Sequence, residues 1–424
     1  MHIESATQEQ LIEWEKELSA HYKKICQHGL NLDITRGKPS AEQLNLSDKL
    51  DGILSSDYRT ADGTDTRNYG GLVGLNCARE LGAEMLQVPV EEVIAGGNSS
   101  LTLMYYAVLN GYLFGFAGNT AWRELKAPKF LCPVPGYDRH FTICEQLGIE
   151  MINIPMGANG PDMDTVEKLV QEDSDIIGIW CVPKFSNPTG TTYSKETVGR
   201  IAQLGLVASP GFRIFWDNAY SVHDFGHPIN LTNIRTATLE NDTADCVLQF
   251  ASTSKVTHAG SGVAFVSASQ ANLNSLKAQM QAMTIGPEKV NQLRHSRFFT
   301  EYTSLNEHMR KHASILRPKF KCVLEHLHNA LTDAAMGTWE KPEGGYFVSF
   351  NTLPGCAKAV VKLAADAGVK LTPAGATFPY GEDPEDNNIR IAPSFPPLEE
   401  LDTAMSVFVL CVKLASLRKK LDMA

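Results

Sequence analysis

Several features that would each name a class of protein are missing from this sequence. Its 424 residues contain no C-x-x-C pair, so neither a zinc ribbon nor a thioredoxin-like redox site is written into it. The nine cysteines are an odd number, and Cys132, Cys181, Cys246 and Cys411 lie in apolar runs, where a free thiol packs as a small hydrophobe. That usage points to a reducing, cytoplasmic compartment and to no bound metal. Positive charge is scarce, with 38 Lys and Arg against 48 Asp and Glu for a net charge of -10, which disfavours general attraction to nucleic acid or an anionic membrane. The most apolar helix-like stretch, Leu101 to Phe116, is too short to span a bilayer and is interrupted by Asn110 and Gly111. The start, MHIESATQEQ, has neither the basic residues nor the apolar run of a signal peptide, so no export is expected. There is no internal repeat and no low-complexity segment. RNYGGLVGL carries glycines without a preceding strand or a full G-x-G-x-x-G, which discounts a dinucleotide site.

What is present is a chain with 43% hydrophobic and 20% charged residues, enough to bury a sizeable core in two or three units. Leu11, Trp14, Leu18, Tyr22 and Ile25 recur at helical spacing and predict an amphipathic N-terminal helix lying on something larger. The loop NLDITRGKPS follows, punctuated by Gly37 and Pro39. From about residue 90 to 270, apolar runs alternate with helical segments: Lys129–Pro133, Met151–Pro155, Ile176–Val182, Arg213–Trp216, Val247–Ala251 and Val263–Ser267. Continuous apolar strands between helices predict an α/β fold, a mostly parallel sheet sandwiched by helices, with ligands at the carboxyl ends of its strands. A charged helical region, Glu288 to Asn329, is expected to break near Pro318 and to lead into a smaller α/β unit. That unit holds a strand in Gly344–Phe350, a helix over Ala357–Ala367 and a strand at Ile389–Ala392. The expected division is residues 1–50 as N-terminal helix and loop belonging with the small domain, 51–300 as the large domain and 301–424 as the small domain.

Four of the strands lead into residues with chemistry. Lys255, in FASTSKVTHAGSG, stands where burial and neighbouring charge lower an amine's pKa until it attacks a carbonyl. A lone lysine at a strand end is more often a surface charge. Asp217 and Tyr220 in FRIFWDNAY follow a very apolar strand; a buried carboxylate there needs a partner, such as a pyridinium nitrogen, or it caps the next helix. Asn187 in SNPTG sits in a turn that presents its amide as a donor to a phenolate oxygen, with Tyr220 as second donor. Asn98, Ser99 and Ser100 precede an apolar helix, an arrangement that suits a phosphate or simply a cap. Arg390 lies between Ile389 and Ile391, where it either grips a carboxylate or points to solvent by alternation.

Taken in order, seven segments resemble the class I aminotransferases, the fold-type I pyridoxal-phosphate enzymes. These are Tyr69 with Gly70, Asn98–Ser100, Tyr137 in PGYDRHF, Asn187, Asp217 with Tyr220, Lys255 and Arg390. The pattern is similar to the atypical bacterial aspartate aminotransferases related to the aminotransferase domains of MocR-type regulators. The resemblance implies pyridoxal 5'-phosphate as cofactor, with Lys255 as its Schiff-base lysine, Asp217 on the pyridine nitrogen, and Asn187 and Tyr220 on the ring oxygen. It also implies Tyr137 stacked on the ring, Ser99, Ser100 and Ser252 at the phosphate, and Tyr69 reaching the phosphate of a neighbouring subunit in a homodimer with shared active sites. Arg390 then matches the substrate-carboxylate arginine, assisted by Asn187, Gly37 and Arg36. One departure is that HAGSGVAF, after Lys255, lacks the arginine that family members commonly place there, so phosphate binding is expected to lean on amides, hydroxyls and a helix terminus.

The expected reaction moves the amino group of an amino acid, aspartate or glutamate, to a 2-oxo acid such as 2-oxoglutarate. A distal carboxylate needs a second cation, for which Arg36, Lys38, Arg294 and Arg297 are candidates. β-Elimination or decarboxylation with the same cofactor is the alternative enzyme. A non-catalytic ligand sensor is disfavoured, because about thirty residues before the first loop are too few for a winged helix-turn-helix.

Overall fold

The computed structural model describes residues 2–422. Its main sheet has eight strands in the order Val93–Ala95, Ala264–Ala268, Val247–Ser252, Arg213–Asp217, Ile176–Cys181, Lys129–Val134, Glu150–Gly157 and Gly160–Pro161. The five from Val247–Ser252 to Glu150–Gly157 are parallel to one another; Ala264–Ala268 runs antiparallel to both of its neighbours, and Gly160–Pro161 pairs antiparallel at the other edge. Each of the six apolar runs forms a strand, and their unbroken apolarity has a plain cause. Alternate side chains enter two different cores. Phe130, Cys132 and Phe215 pack with the helices Ser100–Phe114 and Gln270–Met283 on one face. Leu131, Ile214 and Trp216 pack with the helices Met163–Glu172, Lys195–Gln203 and Ile234–Glu240 on the other.

A third core joins both ends of the chain. The N-terminal helix, Gln8–Cys26, starts at a capping box in which Gln10 N donates to Thr7 Oγ1 at 3.3 Å and Thr7 N donates to Gln10 Oε1 at 2.9 Å. Its stripe of Leu11, Trp14, Leu18, Tyr22 and Ile25 packs, as the spacing predicts, into a cluster that includes Phe408 and Val412 of the last helix, Leu398–Lys420. The same cluster covers the antiparallel sheet of Thr338–Trp339, Val348–Asn351 and Asn388–Ile391. The short strand Leu32–Asp33 pairs in parallel with Val369–Lys370 in a separate two-stranded sheet, so the loop that follows it is tied to the C-terminal part of the chain and not to the large sheet.

Two expectations need correction. The long helix Leu305–Leu331 passes through Pro318 without stopping, and the chain breaks earlier, where the helix Val290–Arg297 ends in a wide turn at Phe298–Tyr302. Pro318 and Ser314, whose carbonyl loses its N–H partner, both lie on the exposed side of this helix, where water can replace the lost bond. The strand expected from Gly344 begins only at Val348, because Gly344 and Gly345 pass against the ring and backbone of Phe185, leaving no room for a Cβ. Among the described residues no helix is long and apolar enough to cross a membrane.

Candidate active site

The carboxyl ends of the parallel strands and the small antiparallel sheet enclose a cavity of about 760 Å³. It is lined by Ser99, Ser100, Tyr137, Asn187, Asp217, Tyr220, Ser252, Lys255 and Arg390, with Arg36 and Gly37. Most of the residues singled out from sequence are therefore brought together. Tyr69 is not: it is 83% exposed and does not line this cavity. Nor are Lys38, whose ammonium lies 3.8 Å over the Phe395 ring, and Arg297, which pairs with Asp57 at 2.6 Å. Arg294 also lies outside the lining.

Lys255 ends the short turn Thr253–Lys255 that follows the strand Val247–Ser252. Its ammonium nitrogen stands 5.1 Å from the centre of the Tyr220 ring. Burial lowers its pKa, an effect only partly opposed by the charge of Asp217. That shift favours the neutral, nucleophilic form of the amine. Burial also raises the phenols of Tyr220 and Tyr137 well above their ordinary range, so both remain hydrogen-bond donors.

Asp217 closes the strand Arg213–Asp217 and is 3% exposed. Its Oδ2 meets His140 Nε2 at 3.0 Å, whereas Oδ1 is buried with no partner. His140 itself is stacked on Trp180, with 4.2 Å between ring centres and 7° between planes. The sequence reading missed His140, although it lies one helical turn after Tyr137 and so shares that residue's face. Arg390 is buried, as the functional reading of its strand required. Its guanidinium lies over the Phe347 ring at 5.0 Å, and Nη1 donates to Asp138 Oδ1 at 2.9 Å and to Asn187 Oδ1 at 3.3 Å. With Asn187 Oδ1 so occupied, its Nδ2 is left to donate into the cavity.

The same ring explains Gly37. A Cβ there would lie 2.3 Å from Phe347 Cζ, so only glycine lets the N-terminal loop close over Arg390. The loop is held by Thr372 Oγ1 donating to the Thr35 carbonyl at 3.0 Å and Ser394 Oγ donating to the Lys38 carbonyl at 2.9 Å. At the opposite end, the helix Ser100–Phe114 has Ser99 at its N-cap without a side-chain cap bond, so its first N–H groups are open to an anion. Ser252 Oγ and Ser254 Oγ are 3.1 Å apart beside it. Residues 256–265 contribute no Lys or Arg to this end.

Behind the cavity, histidines hold the backbone that carries Lys255. The Lys255 carbonyl accepts from His223 Nε2 at 3.2 Å and from Tyr346 Oη at 3.3 Å. The Val256 carbonyl accepts from His308 Nε2 at 2.7 Å, and Thr257 Oγ1 meets His295 Nε2 at 2.8 Å. His295 Nδ1 lies 2.9 Å from the Asn291 carbonyl and must donate to it, which leaves Nε2 as acceptor for Thr257. Burial lowers His223 to about 3 and His295 to about 4. In the unfolded chain each takes up a proton near pH 6.5, so between these values the unfolded state binds more protons. Their contribution is intact above pH 6.5 and is lost as the pH falls towards 4. At pH 5 the loss is about 2 kcal/mol per histidine. Urea unfolding at pH 7 and pH 5 should show it, and His295→Gln should shrink the difference; a difference unchanged in that variant would rule out this account.

The aspartate amino-transferase family profile matches residues 6–423. An aspartate aminotransferase of Corynebacterium glutamicum is 43% identical, covering 95% of this chain and 93% of its own length. The crystal structure of an aspartate transaminase from the same organism superposes with a TM-score of 0.95 at 41% identity, covering 99% of each chain. An α-aminoadipate aminotransferase from Thermus thermophilus, solved with N-(5'-phosphopyridoxyl)-L-leucine, shares the fold at a TM-score of 0.75 and 21% identity, over 94% of this chain and 95% of its own. With the matched profile and a relative of this identity both running nearly end to end, the chain belongs to the aspartate amino-transferase family.

Proposed function

We propose that this aminotransferase works with pyridoxal 5'-phosphate on Lys255 and takes a dicarboxylic amino acid, aspartate or glutamate, as amino donor to a 2-oxo acid. The observation that carries the reading is the buried Asp217 Oδ1 without a partner, in the same cavity as the lowered-pKa amine of Lys255. The donor set fits the cofactor. Asp217 would hold the proton on its ring nitrogen, Asn187 Nδ2 and Tyr220 would donate to its ring oxygen, and Tyr137 would lie against the ring. Ser99, Ser100, Ser252 and the uncapped helix start would take the phosphate. When bound, the cofactor supplies an electron sink for the bond pair left when a substrate Cα–H proton departs.

The chain's own residues do the rest. Arg390 receives the α-carboxylate and so fixes which face of the substrate meets Lys255. Lys255, its pKa lowered by burial, removes the Cα proton and returns a proton on the other side of the transfer. His140 fixes the orientation of Asp217 through Oδ2. Tyr69, exposed on one protomer, supports a homodimer in which it reaches the partner's phosphate end. For a distal carboxylate the cavity offers Arg139, Arg36 and Lys370 as the remaining lining cations among the described residues, and Arg139 was missed from sequence because PGYDRHF was read for its tyrosine.

The test is an assay of the cofactor-loaded protein with aspartate and 2-oxoglutarate. Oxaloacetate and glutamate should form in equal amounts, whereas pyruvate with free ammonia would place the chain among the eliminating enzymes. Arg139→Ala should lower kcat/KM for aspartate by about tenfold to a hundredfold while sparing alanine, since one charge-assisted contact contributes about 1.5–3 kcal/mol. Arg297→Ala should leave aspartate kinetics unchanged. Equal effects on aspartate and alanine would remove Arg139 from the distal site.

A further inference from the structure

The two longest helices of the chain, Leu305–Leu331 and Leu398–Lys420, meet in a set of donors that amino transfer does not use. Cys322 and His326 stand four residues apart on the first, so they lie on one face a turn apart. That face meets Asp402 of the second. Asp402 Oδ1 lies 2.8 Å from His326 Nε2 and 3.9 Å from Cys322 Sγ, and the three donor atoms all fall within 4.8 Å of one another. Beneath them, Val323 and Leu327 share a core with Leu401 and Met405, which fixes the spacing of the helices. The set borders a surface cavity of about 1080 Å³ that has no lining residue in common with the active site.

We propose that Cys322, His326 and Asp402 form a zinc site that clips the two helices together, with water completing the tetrahedron from the cavity side. Thiolate, imidazole and carboxylate are the donor types zinc takes, whereas magnesium and calcium want oxygen alone. The spacing is close to what the metal needs. With bonds of about 2.0–2.3 Å, neighbouring donor atoms around tetrahedral zinc stand about 3.3–3.6 Å apart. The His326–Asp402 contact must therefore open by about half an ångström, and the Cys322–Asp402 contact must close by less. A histidine–aspartate pair alone would explain the 2.8 Å contact, but not a thiol turned to the same carboxylate oxygen. The pair is exposed on its aspartate side, so giving it up for coordinate bonds costs little. Binding also moves protons. His326 keeps its proton on Nδ1 and turns the free electron pair of Nε2 to the metal. Burial, with Asp402 and Glu325, pushes the Cys322 thiol up to about 11, and its proton leaves to water as the Sγ–zinc bond forms. The expectation of no bound metal came from cysteine spacing, which is blind to a donor set completed across two helices.

Zinc should be titrated calorimetrically into the cofactor-loaded protein after excess cofactor is removed and metal is stripped with a chelator. One zinc should bind per chain, and X-ray absorption at the zinc edge should show one sulfur among nitrogen and oxygen neighbours. Zinc should also raise the melting temperature, as any ligand of the folded state does. Cys322→Ser, His326→Gln and Asp402→Asn should each weaken zinc binding by at least about tenfold and remove that rise, while leaving amino transfer unchanged. Magnesium should neither bind nor shift the melt. A wild type that fails to bind zinc, a neighbour shell without sulfur, or undiminished binding in a folded Cys322→Ser overturns the inference.

Discussion

Lys255→Ala should reduce amino transfer by about four orders of magnitude or more and abolish covalent capture of the cofactor. The size follows from what the side chain supplies twice over: a nucleophile and a general base, the latter alone worth about two to four orders of magnitude. No neighbour can stand in for it. The lining carboxylates Asp138 and Asp217 are committed to Arg390 and His140, the phenols of Tyr137 and Tyr220 are held protonated by burial, and His140 lies behind Asp217. Lys370, the other lysine at the cavity, is exposed and lacks the burial that lowers the pKa of Lys255. Borohydride reduction followed by mass measurement should show the cofactor attached to wild type and not to the variant. Lys255→Arg should not restore turnover, because a guanidinium stays charged and cannot act as a base. Measurable transfer at wild-type rates in Lys255→Ala would sink the assignment. A drop in turnover with capture retained would mean that another amine holds the cofactor.

The large sheet was legible in the sequence because both of its faces are covered: six runs such as Ile176–Val182 had no polar alternation to blur them. The edge strand Val93–Ala95 was not, since three residues carry no period. Pro318 misled for a related reason, as the rule against proline in helices concerns a lost N–H bond, and the sequence does not say that Ser314, whose carbonyl is orphaned, lies on the exposed side of the helix. In the site, residues at strand ends announced themselves through an abrupt change from apolar to polar, as at Asp217 and Lys255. Residues on helices did not. His140 and Arg139 follow Tyr137 on a short helix where polar residues are ordinary, and only the folded chain shows that one meets Asp217 and the other the cavity. The histidines behind Lys255 come from segments as distant as His223, His295 and His308, and no local pattern connects them. Arg36, Lys38, Arg294 and Arg297 looked alike as charges, and packing separated them: Arg297 is tied to Asp57 while Arg36 faces the cavity.

Arg390→Ala should raise KM for every amino acid, with kcat/KM falling by roughly two to four orders of magnitude. Each charge-assisted bond to a carboxylate contributes about 1.5–3 kcal/mol, and a bidentate grip uses two. The loss should be the same for aspartate and alanine, since both present an α-carboxylate, and this separates Arg390 from Arg139, whose removal spares alanine. Part of the loss should appear in kcat, because a substrate no longer anchored at Arg390 presents its Cα–H bond to Lys255 in the wrong orientation for proton transfer. Arg390→Lys should recover little: a lysine is a point charge that cannot bond a carboxylate along two parallel lines, and it lacks the planar face that lies over Phe347 at 5.0 Å. The variant also frees Asp138 and Asn187 Oδ1, which lose their common donor, so some destabilisation is expected and should be measured alongside by urea unfolding. If KM rises for aspartate alone, Arg390 is the distal-carboxylate residue and the two arginines exchange roles. If neither amino acid is affected in a folded variant, the α-carboxylate is bound elsewhere.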